Sequence, residues 1–536
     1  VRYILFLLLL LQAAVAAACP AARPVEAARS VTRAFPAFAA HVPTGHPFAR
    51  ASGQHATART GIGAAQGSLA PLPCARPQQP PLAGPAAMAE TMPLAANLVN
   101  LAARTSVRTS AAPHRSPPVS AFASPTALPG LPAPPGAGIP AIMTEAKDRG
   151  GQCRETFSVA ENRLTLLTHG PERLDALVAL IDGAQTSLRL LYYIYSGDAS
   201  GTRVRDALLA AIGRGVRVAL IVDGFGSDAS AEFFAPLEQD GASVCRFQPR
   251  WGRRYLLRNH QKLALADGET PSSRVIVGGF NVADDYFSDA GDRGWRDLGL
   301  LVEGPAAARL AGYFDALAEW TATPKARMRA LRRSLDRWSE PNGPARWLLG
   351  GPARQLSPWA RGVRADMRAA RRLDMIAAYF APNPMMLRAV EMVVRRGGVA
   401  RVLTAAKSDN TATIGAARHT YRRLLRRGVR IFEYQPAKLH TKLFVVDDVV
   451  HIGSANFDIR SLYLNLEIML RIEDRAFADH LRDYFAGELA QSVEVTRAEH
   501  RKAGLLDRLR WSLAYFVVAI ADYGVTRRLN FGIEAD

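Results

Sequence analysis

Two stretches of the 536-residue chain repeat one arrangement of ionisable side chains, His-x-Lys-x4-Asp. The first holds His260, Lys262 and Asp267, and the second His440, Lys442 and Asp447. Small residues and an Asn follow each copy: Gly278, Gly279 and Asn281, then Gly453, Ser454 and Asn456. Farther on, Asp297 and Glu467 occupy equivalent positions. Two histidines suit phosphodiester cleavage without a metal. One imidazole attacks phosphorus and forms a phosphohistidine; the other protonates the leaving oxygen and then activates the second nucleophile. Lys262, Lys442, Asn281 and Asn456 are expected to neutralise and orient the phosphoryl oxygens. Gly279 and Ser454 are expected to add phosphate contacts, since glycine lets backbone approach a ligand closely. Asp297 and Glu467 are expected to accept a ring N–H of a catalytic His and so fix its tautomer, with a surface salt bridge as the alternative.

Each motif lysine leads into an apolar run, LALA or LFVV, that reads as a strand. Alternate strand residues share a face. His and Lys then share one, and the Asp, seven residues from the His, falls on the other. Asp267 and Asp447 are therefore expected to be structural.

The elements that must position these residues recur in the same order. ERLDALVALIDGAQ (172–185) reads as an amphipathic helix, SLRLLYYIYS (187–196) as a buried strand, TRVRDALLAAIGRG (202–215) as a helix and VRVALIVDG (216–224) as a strand. LDMIAAYFAP (373–382), PMMLRAVEMVVRRGG (384–398), VARVLTAA (399–406) and HTYRRLLRRG (419–428) repeat strand, helix, strand, helix. Five phrases match between the halves in the same order, among them RNHQKLALAD with KLHTKLFVVD and GGFN with GSAN. The expected fold is α/β: two similar lobes, each a mostly parallel sheet flanked by helices, with a single active site between them. The first lobe is expected at 151–321 (motif 258–286), an Arg-rich crossing at 322–372, the second lobe at 373–500 (motif 435–467), and a basic, aromatic helix at 501–536.

Residues 1–142 contain no Lys, ten Arg and two acidic residues, Glu26 and Glu90, within a chain of formal charge +19. Ala and Pro dominate, and residues 19–150 are expected to be unfolded because they have too little apolar surface to offset ordering entropy. Arg2, the apolar run Ile4–Leu11 and the small residues before Cys19 have the layout of a secretory signal; upstream translated sequence before a start at Met143 is the alternative. The first reading implies a secreted or periplasmic protein, the second a peripheral membrane protein. The four cysteines are too scattered for a disulfide framework, and no cluster has metal-ligand spacing. The basic balance favours anionic partners, phospholipid or nucleic acid.

At these motifs the sequence resembles the phospholipase D superfamily, and within it bacterial cardiolipin synthases. YYIYSGDASGTRVRDALLAAIGRGVRVALIVDGFGS, VGGFNVADDYF, WRDLGLLVEGPA, LHTKLFVVDD and IGSANFDIRSLYLNLE carry the likeness, which covers about residues 160–490. The resemblance implies one site at the lobe interface, a phosphatidyl-histidine intermediate with His260 as nucleophile and His440 as acid, no cofactor and no metal. A nucleic-acid phosphodiesterase and a catalytically silent membrane-binding protein remain as other readings. The tail DRLRWSLAYFVVAIADYGVTRRLNFG (507–532) joins apolar and basic residues; it reads as an interfacial helix or as one packed on the domain.

Overall fold

The apolar runs of both halves become strands. A computed structural model describes residues 143–147, 153–248, 257–289, 294–324, 326–353 and 355–521; the expected signal or upstream segment 1–18, and residues 19–142, lie outside these. The first half forms β1 (Met143–Lys147), β2 (Cys153–Val159), β3 (Asn162–Leu167), β4 (Ser187–Tyr192), β5 (Arg217–Asp223), β6 (Ser243–Phe247), β7 (Leu263–Ala266), β8 (Arg274–Gly278) and β9 (Gly299–Glu303). The second forms β10 (Ala345–Gly350), β11 (Arg372–Ala377), β12 (Phe380–Ala381), β13 (Val399–Ala405), β14 (Arg430–Tyr434), β15 (Lys442–Val446), β16 (Val449–Gly453), β17 (Phe457–Asp458), β18 (Glu467–Glu473) and β19 (Ser492–Glu494). One sheet runs β1-β2-β3-β9-β8-β7-β4-β5-β6 and the other β10-β18-β16-β15-β11-β13-β14-β19. Without β1, β2 and β19, the two orders are identical.

The fold is α/β in two lobes, but the sheets are not mostly parallel. β4, β5 and β6 pair parallel, as do β11, β13 and β14. The strands from β4 through β7, β8 and β9 to β3, and from β11 through β15, β16 and β18 to β10, pair antiparallel. Helical crossovers permit the parallel part. The direct β7–β8 and β15–β16 connections permit only antiparallel neighbours.

Alternation along the central strands builds the core. Leu263 and Leu265 of β7 join Leu443 and Val445 of β15 in one buried cluster shared by both lobes. Ala264 and Ala266 face the other way, under the first lobe's helices, and Phe444 and Val446 do the same in the second. The sheets therefore meet face to face, and this shared core sets the two motifs opposite each other.

Three boundaries need correction. β1 pairs with β2, so strand structure begins inside the segment expected to be unfolded. The 322–372 stretch is more than a crossing: it carries helix Met328–Trp338, β10 on β18, and helix Pro358–Ala369. The second lobe thus begins near Ala345. The C-terminal segment is helical over Leu505–Tyr515 and continues as a π-helical turn over Phe516–Ala521; residues 522–536 lie outside the described residues. Cys245 on β6 is disulfide-bonded. No helix among the described residues is long and apolar enough to cross a membrane.

Asp267 and Asp447 sit in turns after β7 and β15 with φ of 53° and 48°, so regular strand parity stops before them. Asp267 accepts the backbone N–H groups of Gln185, Thr186 and Ser187 at 3.0, 2.7 and 3.2 Å. Asp447 accepts those of Arg371 and Arg372 at 3.0 and 2.7 Å. Each carboxylate ties its turn to the start of the neighbouring strand. Asp267→Ala is expected to lower stability by about 1–3 kcal/mol, because part-buried and buried backbone donors lose their acceptor. Urea unfolding measures this. Turnover per folded molecule should be unchanged.

Candidate active site

The lobes are joined at the motifs by backbone hydrogen bonds. His260 N–H donates to the Leu466 carbonyl at 2.9 Å, and Leu466 N–H to the Arg258 carbonyl at 2.9 Å. In the mirrored place, His440 N–H donates to the Arg296 carbonyl at 2.8 Å, and Arg296 N–H to the Lys438 carbonyl at 2.8 Å. Leu466 precedes Glu467 and Arg296 precedes Asp297. Each histidine is thus held beside the carboxylate of the opposite lobe.

The side chains follow that register. His260 Nδ1 lies 3.1 Å from Glu467 Oε2, and His440 Nδ1 lies 2.7 Å from Asp297 Oδ2. An ionised carboxylate accepts, so each Nδ1 carries the ring proton and each Nε2 keeps its lone pair. The two carboxylates are supported differently. Glu467 also accepts the Ser454 hydroxyl at 2.5 Å and the Ser461 hydroxyl at 2.7 Å. Asp297 otherwise accepts the Leu298 N–H at 2.8 Å. A Cβ on Gly279 would lie 2.4 Å from Asp297 Oδ1, so the shorter carboxylate requires a glycine behind it.

The hydrogen-bonding groups of Gly279 and Ser454 are engaged within the protein. The Ser454 hydroxyl donates to Glu467 and accepts Ile468 N–H, its own N–H goes to the Ile468 carbonyl, and Gly279 N–H goes to the Leu298 carbonyl. Both positions stand behind the carboxylates and shape them.

Lys262 and Lys442 are 1% exposed, and each ammonium donates to the carbonyl of its own motif histidine, Lys262 at 2.6 Å. Burial lowers Lys262 to about 7 and Lys442 to about 8, against the pull of Glu467 and Asp297. Burial lowers His260 to about 4 and His440 to about 3; the lysine charges add to it, and the carboxylates only partly oppose it. Burial pushes Asp297 up, but the pairing with His440 and the charges of Lys442 and Arg173 outweigh it and hold the carboxyl at about 2. The site therefore holds two neutral imidazoles and an ionised Asp297. Asn281 accepts the Ile194 N–H at 3.0 Å, and its side chain is also hydrogen-bonded to Tyr286. The buried Asn456 side-chain oxygen has no hydrogen-bond partner among the described residues. Both asparagines stand at matching places: Val282 is bridged to Tyr195 beyond β4, and Phe457 to Phe380 beyond β11.

Several residues of the site escaped the sequence reading. Tyr193 lies over His260 with centroids 5.0 Å apart, and Tyr286 and Trp295 each lie 5.2 Å from His440. Asp223, 0% exposed at the end of β5, accepts Asn259 N–H at 2.7 Å and so holds the residue before His260. Arg173 donates to the carbonyls of Asp297 at 2.7 Å and Tyr286 at 2.8 Å. Both had signals. Asp223 ends a parallel strand, where ligands gather in open α/β sheets. Arg173 interrupts the buried stripe of helix Gly170–Asp182.

Two lobes of one topology, with a histidine and a lysine from each meeting at a shared interface, define a phospholipase D-type α/β protein. The family described as "Cardiolipin synthase, PLD-like domain" matches residues 177–318 and 365–489, which hold His260 and His440 respectively. The chain is 32% identical to cardiolipin synthase A of Pseudomonas entomophila (strain L48) over 372 residues, 68% of this chain and 76% of that one. It is 30% identical to cardiolipin synthase 1 of Bacillus cereus over 361 residues, 64% of this chain and 70% of that one. The chain belongs to the cardiolipin synthase-like family of the phospholipase D superfamily. Its fold resembles that of the phosphatidylserine synthase of Haemophilus influenzae Rd KW20, with a TM-score of 0.53 at 12% identity over 68% of this chain and 94% of that one.

Proposed function

We propose that this chain moves a phosphatidyl group from a phospholipid to an alcohol through a phosphohistidine, with His260 as nucleophile and His440 as acid and base. The crosswise pairing carries this reading, because it leaves both Nε2 atoms available to one phosphorus. The lipid substrate is supported by the cardiolipin synthases among its relatives.

The carboxylates support this division of roles. Ser454 and Ser461 draw on Glu467, which weakens its pull on His260 and suits a neutral nucleophile. Asp297 holds His440 at 2.7 Å and suits the partner that must become an imidazolium. In the first step His260 Nε2 bonds to phosphorus while the P–O bond to the leaving group breaks, and the leaving oxygen takes the proton on His440 Nε2. In the second, an acceptor hydroxyl gives its proton to His440 Nε2, its oxygen bonds to phosphorus, and the N–P bond breaks. Lys262, Lys442, Asn281 and Asn456 hold the phosphoryl oxygens. The phosphate's own charge, placed between the lysines, favours the proton that His440 needs.

Incubation with phosphatidylglycerol, phosphatidylethanolamine and single-stranded DNA, read by mass spectrometry, tests this. Cardiolipin marks transfer, and phosphatidic acid marks water as the acceptor. Nucleotide fragments without lipid turnover would replace the reading with a nuclease; no turnover of any substrate would leave a silent membrane-binding protein.

A pH profile tests the lysines. A lysine with a lowered pKa loses its charge on the alkaline side of that value. Phosphate binding should therefore fail as pH rises past about 7 for Lys262 and about 8 for Lys442. The expected kcat/KM falls above that range. Lysines at the ordinary value of 10.5 would add no break between about pH 7 and 8, and a profile without that break would contradict the buried-lysine site.

A further inference from the structure

We propose that the C-terminal helical segment Leu505–Ala521 is a lipid-surface anchor that seats the protein on an anionic bilayer. The inference deepens the lipid-directed reading above.

Nine large apolar side chains are exposed among the described residues, and five lie in this segment: Leu505 at 84%, Leu506 at 60%, Leu509 at 66%, Phe516 at 49% and Ile520 at 50%. Leu505, Leu509, Phe516 and Ile520 follow in steps of four, seven and four residues, so they form one stripe along the helix. Packing on the domain accounts only for the opposite face. There Trp511 stacks on His500 at 5.1 Å, Tyr515 stacks on His419 at 4.6 Å, and Ala514 nestles against Gly415 of helix Thr411–Arg426. Among the described residues the outer stripe has no such partner, and an apolar stripe left in water is unfavourable.

Charge identifies what covers it. Residues 497–510 hold five basic residues, Arg497, Arg501, Lys502, Arg508 and Arg510, against two acidic ones, Glu499 and Asp507. The second lobe also carries a groove of about 650 Å³ between helices Pro358–Ala369 and Pro384–Arg395. Arg364, Arg368, Arg388 and Arg396 line it with Met385 and Met392, and no carboxylate does. An apolar stripe among cations matches the acyl and phosphate levels of an anionic lipid surface. The anchor is also fixed to the active site. The Tyr515 hydroxyl donates to the Pro382 carbonyl at 2.8 Å, three residues beyond Tyr379, whose ring lies 6.4 Å from that of His440.

Co-sedimentation of the full chain with vesicles of phosphatidylglycerol and phosphatidylcholine, or phosphatidylcholine alone, tests the anchor. Binding should favour the anionic vesicles and weaken with salt. Leu509→Glu with Phe516→Glu should lower it about tenfold or more. Arg501→Ser with Lys502→Ser should lower it about 30-fold on anionic vesicles and leave phosphatidylcholine unaffected. Both double variants should keep wild-type turnover of a soluble short-chain phospholipid, which excludes misfolding. His260→Ala should bind vesicles normally, so vesicle binding without lipid turnover would sink only the catalytic reading. Wild-type vesicle binding by the Leu509/Phe516 variant would overturn the anchor. So would light scattering in which that variant turns a dimer into a monomer, since the stripe would then be a subunit interface.

Discussion

His260→Ala is expected to abolish phosphoenzyme formation, and His440→Ala to abolish it only where the leaving group needs a proton. On a natural phospholipid both should lose at least about 10⁴-fold in turnover, because an alkoxide leaves badly without an acid and phosphorus has no other positioned nucleophile. A p-nitrophenyl phosphodiester separates the roles. Its phenolate departs without a proton, so His440→Ala should still release one burst of nitrophenolate and trap an acid-labile phosphohistidine at His260. It should then stall, because the acceptor hydroxyl has no base. His260→Ala should show neither burst nor covalent adduct. Rapid-quench kinetics and mass spectrometry of the intact chain read both outcomes. A burst in His260→Ala, and none in His440→Ala, would exchange the two assignments. The geometry gives the prediction its direction: Ser454 and Ser461 dilute Glu467's hold on His260, whereas Asp297 meets His440 at 2.7 Å.

The motif, the duplication and the α/β class were legible because they live in short-range pattern. Apolar runs of strand length, glycine stops and two copies of one motif need only local periodicity. The crosswise pairing was not legible. His260 and Glu467 lie 207 residues apart and His440 and Asp297 lie 143 apart, and nothing within either half says which carboxylate crosses the interface. The antiparallel part of each sheet did have a signal. The run LFVVDDVVHIG places two acidic residues between two apolar runs, the mark of a tight hairpin, and β15 and β16 pair across it. Strand parity does not reach the motif aspartates. Both sit in left-handed turn conformation just past their strands, so alternation ends one residue too early to apply. By spacing alone Ser454, a hydroxyl beside a glycine, suits a phosphate. Its neighbour Glu467 is 13 residues away and invisible to spacing alone.

The same asymmetry predicts unequal effects from two chemically identical substitutions, Asp297→Asn and Glu467→Gln. In Asp297→Asn the side-chain oxygen is needed by the Leu298 N–H at 2.8 Å, so the amide N–H₂ must face His440 Nδ1. His440 Nδ1 then accepts, its proton moves to Nε2, and no charge supports the imidazolium. A loss of about 10³–10⁴-fold in kcat is expected on a natural phospholipid, comparable to a triad whose histidine is forced into the wrong tautomer. In Glu467→Gln the amide oxygen can keep His260 Nδ1. That oxygen also keeps the Ser454 hydroxyl, and the N–H₂ can donate to Ser461, whose hydroxyl rotates to accept. His260 retains its tautomer and a nucleophile needs no charge support, so the loss should be about tenfold. With the p-nitrophenyl substrate the two variants should converge in burst rate, since only Asp297 serves proton delivery to the leaving oxygen. Unchanged thermal unfolding of both proteins excludes misfolding. If Glu467→Gln proved the more damaging variant on the phospholipid, His260 rather than His440 would be the residue that carries the proton.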